Sequence, residues 1–282
     1  MRTVATVLAA GAGLLLSSLQ AFAATPVVAP LPEPAPDAEV QVLKVQGNVW
    51  MIAGAGGNIA VQVGDQGLVL VDTGAAGMTD KVMAALRTLS TKPIRYIINT
   101  SIAPGHVGGN ARLASLPGGV LTGAARGATP GVIAQENVFN RMGRAGPDGK
   151  PLFPSAAWPT DGYFAPRRGF TFNGEAIDVI HLPNAYSDGD SAVYFRGSNV
   201  LVAGDVFTTT NLPLVNVALG GTLSGVLEGL NALLDITIPD DLAEGGTYVI
   251  PGHGRISDEA DLVEYRDMVQ VVRDRLLKQA AE

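Results

Sequence analysis

The order of predicted elements constrains the fold of this chain most, because both halves present several short apolar β-rich runs and then an amphipathic helix. The predicted strands are Val40–Val45, Val49–Ala53, Ile59–Val63, Leu68–Val71, Ile94–Ile98, Val120–Thr122, Ala176–His181, Ala192–Phe195, Val200–Ala203 and Tyr248–Ile250. The predicted helices are Thr79–Leu89, one from near His106 to before Pro117, Gly131–Met142, Ser224–Asp235 and one that starts after Ser257. Ser257 is the predicted N-cap of the last helix, whose apolar stripe is Leu262, Tyr265, Val269, Val272 and Leu276. Strands followed by a helix, twice over, predict two sheets packed together with helices outside.

Composition limits the classes of protein that need to be considered. The chain has 282 residues, 47% of them hydrophobic, which suffices for one sizeable core, and we expect a single domain over 39–282. A formal net charge of −7 gives no indication of nucleic-acid binding. The absence of cysteine excludes disulfides, a thiolate nucleophile and thiolate metal ligands.

The N-terminus has the pattern of a secretory signal. Arg2 precedes an apolar run through Leu16, and Ala21-Phe22-Ala23 supplies a small-residue cleavage site. We therefore predict a signal peptide over 1–23, cleavage after Ala23, a periplasmic or secreted protein, and no membrane span after cleavage. The alternative is a membrane anchor, but the apolar run is short for a bilayer span. A Pro-rich tether over 24–38 is expected to link the signal to the first strand.

A polar, glycine-rich block, Asn99–Asn110, follows the buried strand Ile94–Ile98, at the end where α/β enzymes usually place their chemistry. Together with four further segments in the same order, it resembles the metallo-β-lactamase superfamily. Those segments are Val71-Asp72-Thr73-Gly74, Ala185–Asp190, Leu201–Asp205 and Ile250–Gly254. The resemblance implies an α+β fold: a four-layer αβ/βα sandwich of two mixed β-sheets packed face to face with helices outside.

In that family two zinc ions are bound by histidine and aspartate side chains, and four of the corresponding positions here carry other residues. The resemblance places Ser101, Ala103 and Tyr186 where the first zinc has three histidines, and Gly105 where the second zinc has an aspartate. Serine and tyrosine are poor neutral ligands for zinc, and alanine and glycine side chains offer no donor. The first zinc site has therefore lost its nitrogen ligands, and the aspartate that orients the attacking water is missing.

The positions that survive are His106, Asp205 and His253, and they form the candidate metal site. Two histidines and one carboxylate are a recognised triad for a single metal ion. The chain contains only 3 His, and two zinc ions would each need roughly three protein ligands, so a normal dinuclear site cannot form unless carboxylates replace histidines. The alternative is that these residues are remnants joined by hydrogen bonds. The expected cofactor is therefore none or one zinc ion.

Two main hypotheses for function follow. In the first, the fold is kept without hydrolase chemistry, and the cleft binds a small molecule. Its candidate pocket residues are Asp72, which the family uses to support the ligand block, and Trp158 and Tyr163 in the long loop Gly143–Gly169, which is expected to cover the site. In the second, one metal on His106, Asp205 and His253 activates water to hydrolyse an ester, amide or lactam-type bond. A third possibility is an interaction protein acting through the tether or the loop; no protein partner can be named.

Overall fold

A computed structural model of the chain describes residues 33–35, 37–117, 129–145 and 149–282. The predicted signal peptide, most of the predicted tether and the strand expected at Val120–Thr122 lie outside these residues. Two β-sheets form the centre of the described part, one of seven strands and one of five.

The first sheet follows chain order. Its strands are β1 (Gln41–Gln46), β2 (Val49–Ala53), β3 (Ile59–Gly64), β4 (Gly67–Val71), β5 (Ile94–Ile98), β6 (Gly131–Gln135) and β7 (Asp161–Tyr163). Strands β1 to β4 are antiparallel to their neighbours, and β4 to β7 run parallel. The sheet is therefore mixed, as expected.

The second sheet has the order β12-β11-β10-β9-β8. Its strands are β8 (Arg167–Phe172), β9 (Glu175–Leu182), β10 (Asp190–Phe195), β11 (Val200–Thr208) and β12 (Tyr248–His253). The pairs from β8 to β11 are antiparallel, and β11 pairs with β12 in parallel. The parallel pair brings the carboxyl ends of β11 and β12 to the same edge of the sheet.

Three apolar clusters hold four layers together and confirm the predicted sandwich. The helices are α1 (Thr79–Leu89), α2 (Pro104–Val107), α3 (Asn110–Leu113), α4 (Glu136–Met142), α5 (Leu223–Leu234) and α6 (Glu259–Ala281). One cluster fills the space between the sheets, a second joins α1 to the outer face of the first sheet, and a third joins α5 and α6 to the outer face of the second. Burial of these apolar faces is the main stabilising contribution.

Three predicted elements need correction. The helix expected over Gly131–Met142 is strand β6 followed by α4, because the buried run Val132–Ala134 pairs in parallel with β5. The helix expected from His106 is two short helices, α2 and α3, separated at Gly108 and Gly109. The Gly143–Gly169 segment is not all loop, because β7 and the start of β8 lie within it.

The last helix departs from prediction at both ends. Its N-cap is Asp258 rather than Ser257, and the Asp258 carboxylate accepts a hydrogen bond from the Asp261 amide. The expected apolar stripe is buried through Val269, but Leu276 is 53% exposed, because the helix extends past the sheet. None of the described helices is both long and apolar enough to cross a membrane.

Candidate metal centre

Four strand ends from both sheets bring the candidate residues together. Asp72 follows β4, His106 lies in α2 just after β5, Asp205 lies in β11, and His253 ends β12. Parallel pairing places the carboxyl ends of β4 and β5 at one edge of the first sheet and those of β11 and β12 at one edge of the second, and the His106–Asp205 contact joins the two edges. The topology therefore positions these side chains, which are far apart in sequence.

His106 is the centre of the cluster and is fully buried. Its Nδ1 lies 2.7 Å from Oδ2 of Asp72, and its Nε2 lies 2.9 Å from Oδ1 of Asp205. Both distances are those of strong hydrogen bonds to carboxylates. When both ring nitrogens donate, the imidazole carries a proton on each and a positive charge.

Burial and neighbouring charges shift the pKa of His106 and the pKa of Asp205 in opposite directions. Burial alone would lower the pKa of His106, but the carboxylates of Asp205 and Asp72 outweigh it and raise the pKa well above its ordinary value. Burial alone would raise the pKa of Asp205, but the charge of His106 and the nearby His253 hold it below its ordinary value. Without a metal, the cluster is therefore an imidazolium between two carboxylates.

His253 approaches the same carboxylate less closely. Its Nδ1 lies 3.2 Å from Oδ1 of Asp205, within ion-pair distance, but the alignment does not make a hydrogen bond, and this buried nitrogen has no hydrogen-bond partner among the described residues. The rings of His106 and His253 meet edge to face at 5.5 Å. The turn is held by Asn58, whose side-chain amide donates to the Pro251 and Gly254 carbonyls.

Thr100 is a supporting residue that sequence reasoning missed. Its backbone N–H donates to Oδ1 of Asp72 at 2.8 Å, and its hydroxyl donates to Oδ2 at 2.6 Å. Asp72 adopts a left-handed backbone (φ 67°), which turns its carboxylate from the end of β4 towards His106. The Asp-Thr-Gly motif predicted support by Asp72, but no pattern in the sequence indicated which residue would orient Asp72.

Glycines leave the space that the cluster occupies. A Cβ at Gly57 would lie 2.6 Å from Cε1 of His106, and a Cβ at Gly252 would lie 2.7 Å from Oδ1 of Asp205. Real Cβ atoms do not approach other atoms this closely. The two glycines therefore allow the backbone to pack directly against the His106–Asp205 pair.

Of the four positions without ligand residues, Gly105 lies beside the cluster, and Ser101 and Tyr186 are buried. Ser101 is buried, and its hydroxyl accepts a hydrogen bond from the Ala103 amide. The Gly105 carbonyl accepts from the Gly57 amide, and a Cβ at Gly105 would lie 4.0 Å from Nε2 of His253. Tyr186 is 9% exposed, and burial raises the pKa of its hydroxyl.

Two nearby aspartates are occupied by other partners. Asp190 is buried and accepts hydrogen bonds from the Ser187 amide and hydroxyl, and burial raises its pKa to about 8 against their effect. Asp188 forms a two-pronged ion pair with Arg141. Both residues stabilise the turn that carries Tyr186.

The two aromatic pocket candidates make structural contacts. Trp158 is half-buried, and its indole N–H donates to the Phe153 carbonyl at 2.9 Å. Tyr163 is 4% exposed in the core between the sheets, its hydroxyl lies 2.6 Å from that of Ser191, and burial raises its pKa to about 12. Neither forms a hydrogen bond with His106, Asp205 or His253 in the part of the chain that the structure describes.

The donor set fits one metal ion and does not fit two. Donor atoms of His106, Asp205 and His253 all lie within 4.8 Å of one another, and Nδ1 of His253, which makes no hydrogen bond with the described residues, is available as a ligand. Three donors match a mononuclear site with open positions, whereas a pair of zinc ions needs roughly three ligands each. A single ion would compete with the proton that His106 carries at Nε2.

The two-sheet sandwich and the partial ligand cluster at its edge define a protein of the metallohydrolase-fold class. The family model for the metallo-beta-lactamase superfamily matches residues 44–253, which is most of the chain. The chain therefore belongs to the metallo-β-lactamase superfamily. No curated protein matches its sequence.

Solved structures share this fold at low sequence identity. A metallo-beta-lactamase from Pontibacter korlensis is 18% identical with a TM-score of 0.60, covering 82% of this chain and 99% of its own. One from Cronobacter sakazakii is 18% identical with a TM-score of 0.65, covering 87% and 97%. The sec-alkylsulfatase Pisa1 from Pseudomonas sp. is 16% identical with a TM-score of 0.63, covering 86% and 43%. At these identities the similarity shows the fold alone.

Proposed function

We propose that this chain is a superfamily member that has lost the dinuclear hydrolytic centre, holds at most one divalent ion, and uses its cleft for binding rather than hydrolysis. The observation that carries the proposal is the donor set: among the described residues only His106, Asp205 and His253 come together as possible ligands, and three donors cannot hold two zinc ions. When no metal is bound, a positive charge on the His106 ring, which contacts both Asp72 and Asp205, would balance the buried carboxylates.

The residues at the former ligand positions support the same proposal. Ser101, Ala103 and Tyr186 supply no nitrogen donor, so nothing at these positions would polarise a substrate carbonyl as a metal does. Of the two aromatic candidates for ligand contact, Trp158 is better placed, because it is half-buried whereas Tyr163 lies in the core.

The second candidate function is a mononuclear hydrolase, and it is favoured by Nδ1 of His253, which is buried and makes no hydrogen bond with the described residues. When bound, a divalent ion would be held by His106, Asp205 and His253 and would supply Lewis acidity. The residues of this chain would then fix the ligand geometry: Asp72 would orient His106 through Nδ1, and Asn58 would hold the turn of His253.

Hydrolysis assays with and without added zinc separate the two candidates. We expect no turnover of a chromogenic ester or β-lactam above the background of buffer and zinc. Turnover that requires zinc and disappears in His253→Ala would contradict the first proposal and support the second. His181→Ala is the matched control, because the His181 ring hydrogen-bonds to the Asp188 carbonyl and is not a member of the cluster that the described residues form.

We also propose that the chain is exported after cleavage following Ala23, on the strength of its N-terminal sequence pattern. Mass spectrometry of the protein from a periplasmic extract should give a mature N-terminus at Ala24. An intact Met1 on a cytoplasmic protein would contradict the proposal.

A further inference from the structure

A cavity of about 330 Å³ lies on the second sheet, and neither the metal cluster nor its supporting residues contribute to it. It is lined by Arg167, Asp178, Tyr194, Arg196 and Ile236. The neighbouring strands β8, β9 and β10 supply the first three, Arg196 follows β10, and Ile236 follows α5. Cavities that bind small molecules begin at about this volume.

Strand register shows that this cavity opens on the outer face of the sheet. Tyr194 pairs with Asp178, and the residues on either side of Tyr194 are buried in the core between the sheets. Tyr194 and Arg196 therefore point outward, since successive side chains alternate between faces. On its other side Asp178 pairs with Gly169, where a Cβ would lie 3.1 Å from Oδ1 of Asp178. The absence of a side chain at Gly169 therefore leaves space beside Asp178.

The cavity carries net positive charge in a chain whose net charge is −7. Nη1 of Arg167 lies 3.7 Å from Oδ2 of Asp178, which is too long for a hydrogen bond. The guanidinium of Arg196 makes no ion pair or hydrogen bond with any residue that the structure describes. Two guanidinium groups against one carboxylate leave a single positive charge, and one of those groups has its donors free.

We propose that this cavity binds a small organic monocarboxylate. The guanidinium of Arg196 matches a carboxylate with two parallel hydrogen bonds, and Arg167 adds a second positive charge that Asp178 offsets. The Tyr194 hydroxyl donates to Asn199, which leaves the ring of Tyr194 as an apolar surface of the cavity. Together with the side chain of Ile236, this ring provides an apolar wall for the body of the ligand. The remaining single charge favours a monoanion over a phosphate dianion.

The test is calorimetric titration of the full mature chain with benzoate, a monocarboxylate with an apolar body. We expect saturable binding, weakened at least about tenfold in Arg196→Gln and weakened less in Arg196→Lys, which keeps the charge without the two-pronged geometry. Asp178→Asn should bind benzoate more tightly, because it removes the negative charge. Arg275→Gln, an exposed arginine on α6, is the matched control and should bind as the wild type does.

Two further probes, one neutral and one a phosphate, test the proposal on the wild-type chain and so do not depend on the folding of any variant. Benzyl alcohol should bind far more weakly than benzoate, and inorganic phosphate should not displace it. The proposal is overturned if benzoate does not saturate, if benzyl alcohol binds equally well, if phosphate displaces benzoate, or if Arg196→Gln and Arg275→Gln bind alike. These results do not depend on hydrolysis or on the metal content of the other site.

Discussion

At the scale of single residues, the cluster depends on the contact of one buried histidine with two buried carboxylates. Asp72 and Asp205 lie 2.7 and 2.9 Å from the two nitrogens of His106. The attraction offsets the cost of removing three polar groups from water only while all three are present. We therefore expect that replacing any one of the three lowers the free energy of unfolding by more than its own contacts contribute.

The contribution of this cluster to stability should depend on pH. The raised pKa of His106 means that its contribution is complete below the ordinary value of 6.5 and is lost as pH rises through the raised value. The lowered pKa of Asp205 means that its contribution is present above the ordinary value of 3.8 and is lost as pH falls through the lowered value. We therefore expect both groups to contribute fully to stability between about pH 3.8 and pH 6.5, the ordinary pKa values of the two groups.

His106→Gln should destabilise the chain by about 3–5 kcal/mol near pH 6, because it leaves two buried carboxylates without a positive partner. Denaturant unfolding in the presence of a chelator, from pH 5 to pH 9, measures the difference from the wild type. We expect that difference to shrink as the pH rises. A difference that is constant over this range would contradict the charged form of His106.

Gly57→Ala tests whether backbone packing sets the position of His106. The added Cβ would lie 2.6 Å from Cε1 of a fully buried ring, so we expect a loss of about 1–3 kcal/mol. Gly77→Ala is the matched control, because no atom lies within 4 Å of a Cβ at that position. Equal unfolding free energies for the two variants would show that His106 can move without cost.

At the scale of elements, the β2–β3 connection holds the turn after β12. The Asn58 amide nitrogen accounts for two hydrogen bonds across this contact, to Pro251 at 2.9 Å and to Gly254 at 3.0 Å, and the Asn58 backbone N–H donates to Gly252. This is a link between the two sheets, and it fixes the turn in which His253 lies.

Asn58→Ala should therefore cost about 1–3 kcal/mol, because the buried Pro251 carbonyl and the partly buried Gly254 carbonyl lose their donor. It should also weaken any binding of a divalent ion, since His253 would no longer be held in place. Asn211→Ala removes an exposed amide near the same edge and should change neither quantity. Unaltered unfolding of Asn58→Ala would contradict the bracing role.

Sequence patterns predicted most elements because most strands, and helix α1, have an apolar pattern and boundary residues within their own segment. Strand β2 and helix α1 have the predicted bounds, since an alternating or one-sided apolar pattern ends at glycine, serine or proline. Strand β6 was missed, because no glycine or proline separates it from α4 and its pairing with β5 is a long-range contact. The apolar pattern could not show that the first five residues of the predicted helix form a strand.

The site was predicted as a set of residues but not as a set of contacts. Motif order brought His106, Asp205 and His253 together in the hypothesis, and the structure places them within 4.8 Å. His106 is 34 residues from Asp72 and 99 residues from Asp205, so no local pattern reports the two hydrogen bonds. Orientation of the ring also depends on Thr100 and on the space at Gly57, neither of which is a motif residue with chemistry of its own.

At the scale of the whole molecule, the fold of a metallohydrolase is retained around an incomplete ligand set. Gly105, one of the four altered positions, still lies beside the cluster, since a Cβ there would be 4.0 Å from Nε2 of His253. We therefore expect the scaffold to accept the missing ligands. Function depends on the site rather than on the fold, so restoring the donors is the direct test of this view.

The combined substitution Ser101→His, Ala103→His, Gly105→Asp and Tyr186→His should raise zinc binding to about two ions per chain, as two sites of roughly three protein ligands each require. Elemental analysis of the purified variant measures it. The variant with the three histidines but without Gly105→Asp serves as the intermediate control, and it should bind less tightly. A folded combined variant that binds no more zinc than the wild type would contradict the idea of a retained scaffold.

The most direct test of the central claim is the metal content of the purified wild-type chain, by mass spectrometry, after growth with and without added zinc. Given three donors that fit a single ion, we expect at most one metal per chain, reduced or absent in His253→Ala and unchanged in His181→Ala. Two zinc ions per chain, retained through purification, would contradict the account, because a dinuclear centre would then exist despite the missing histidines.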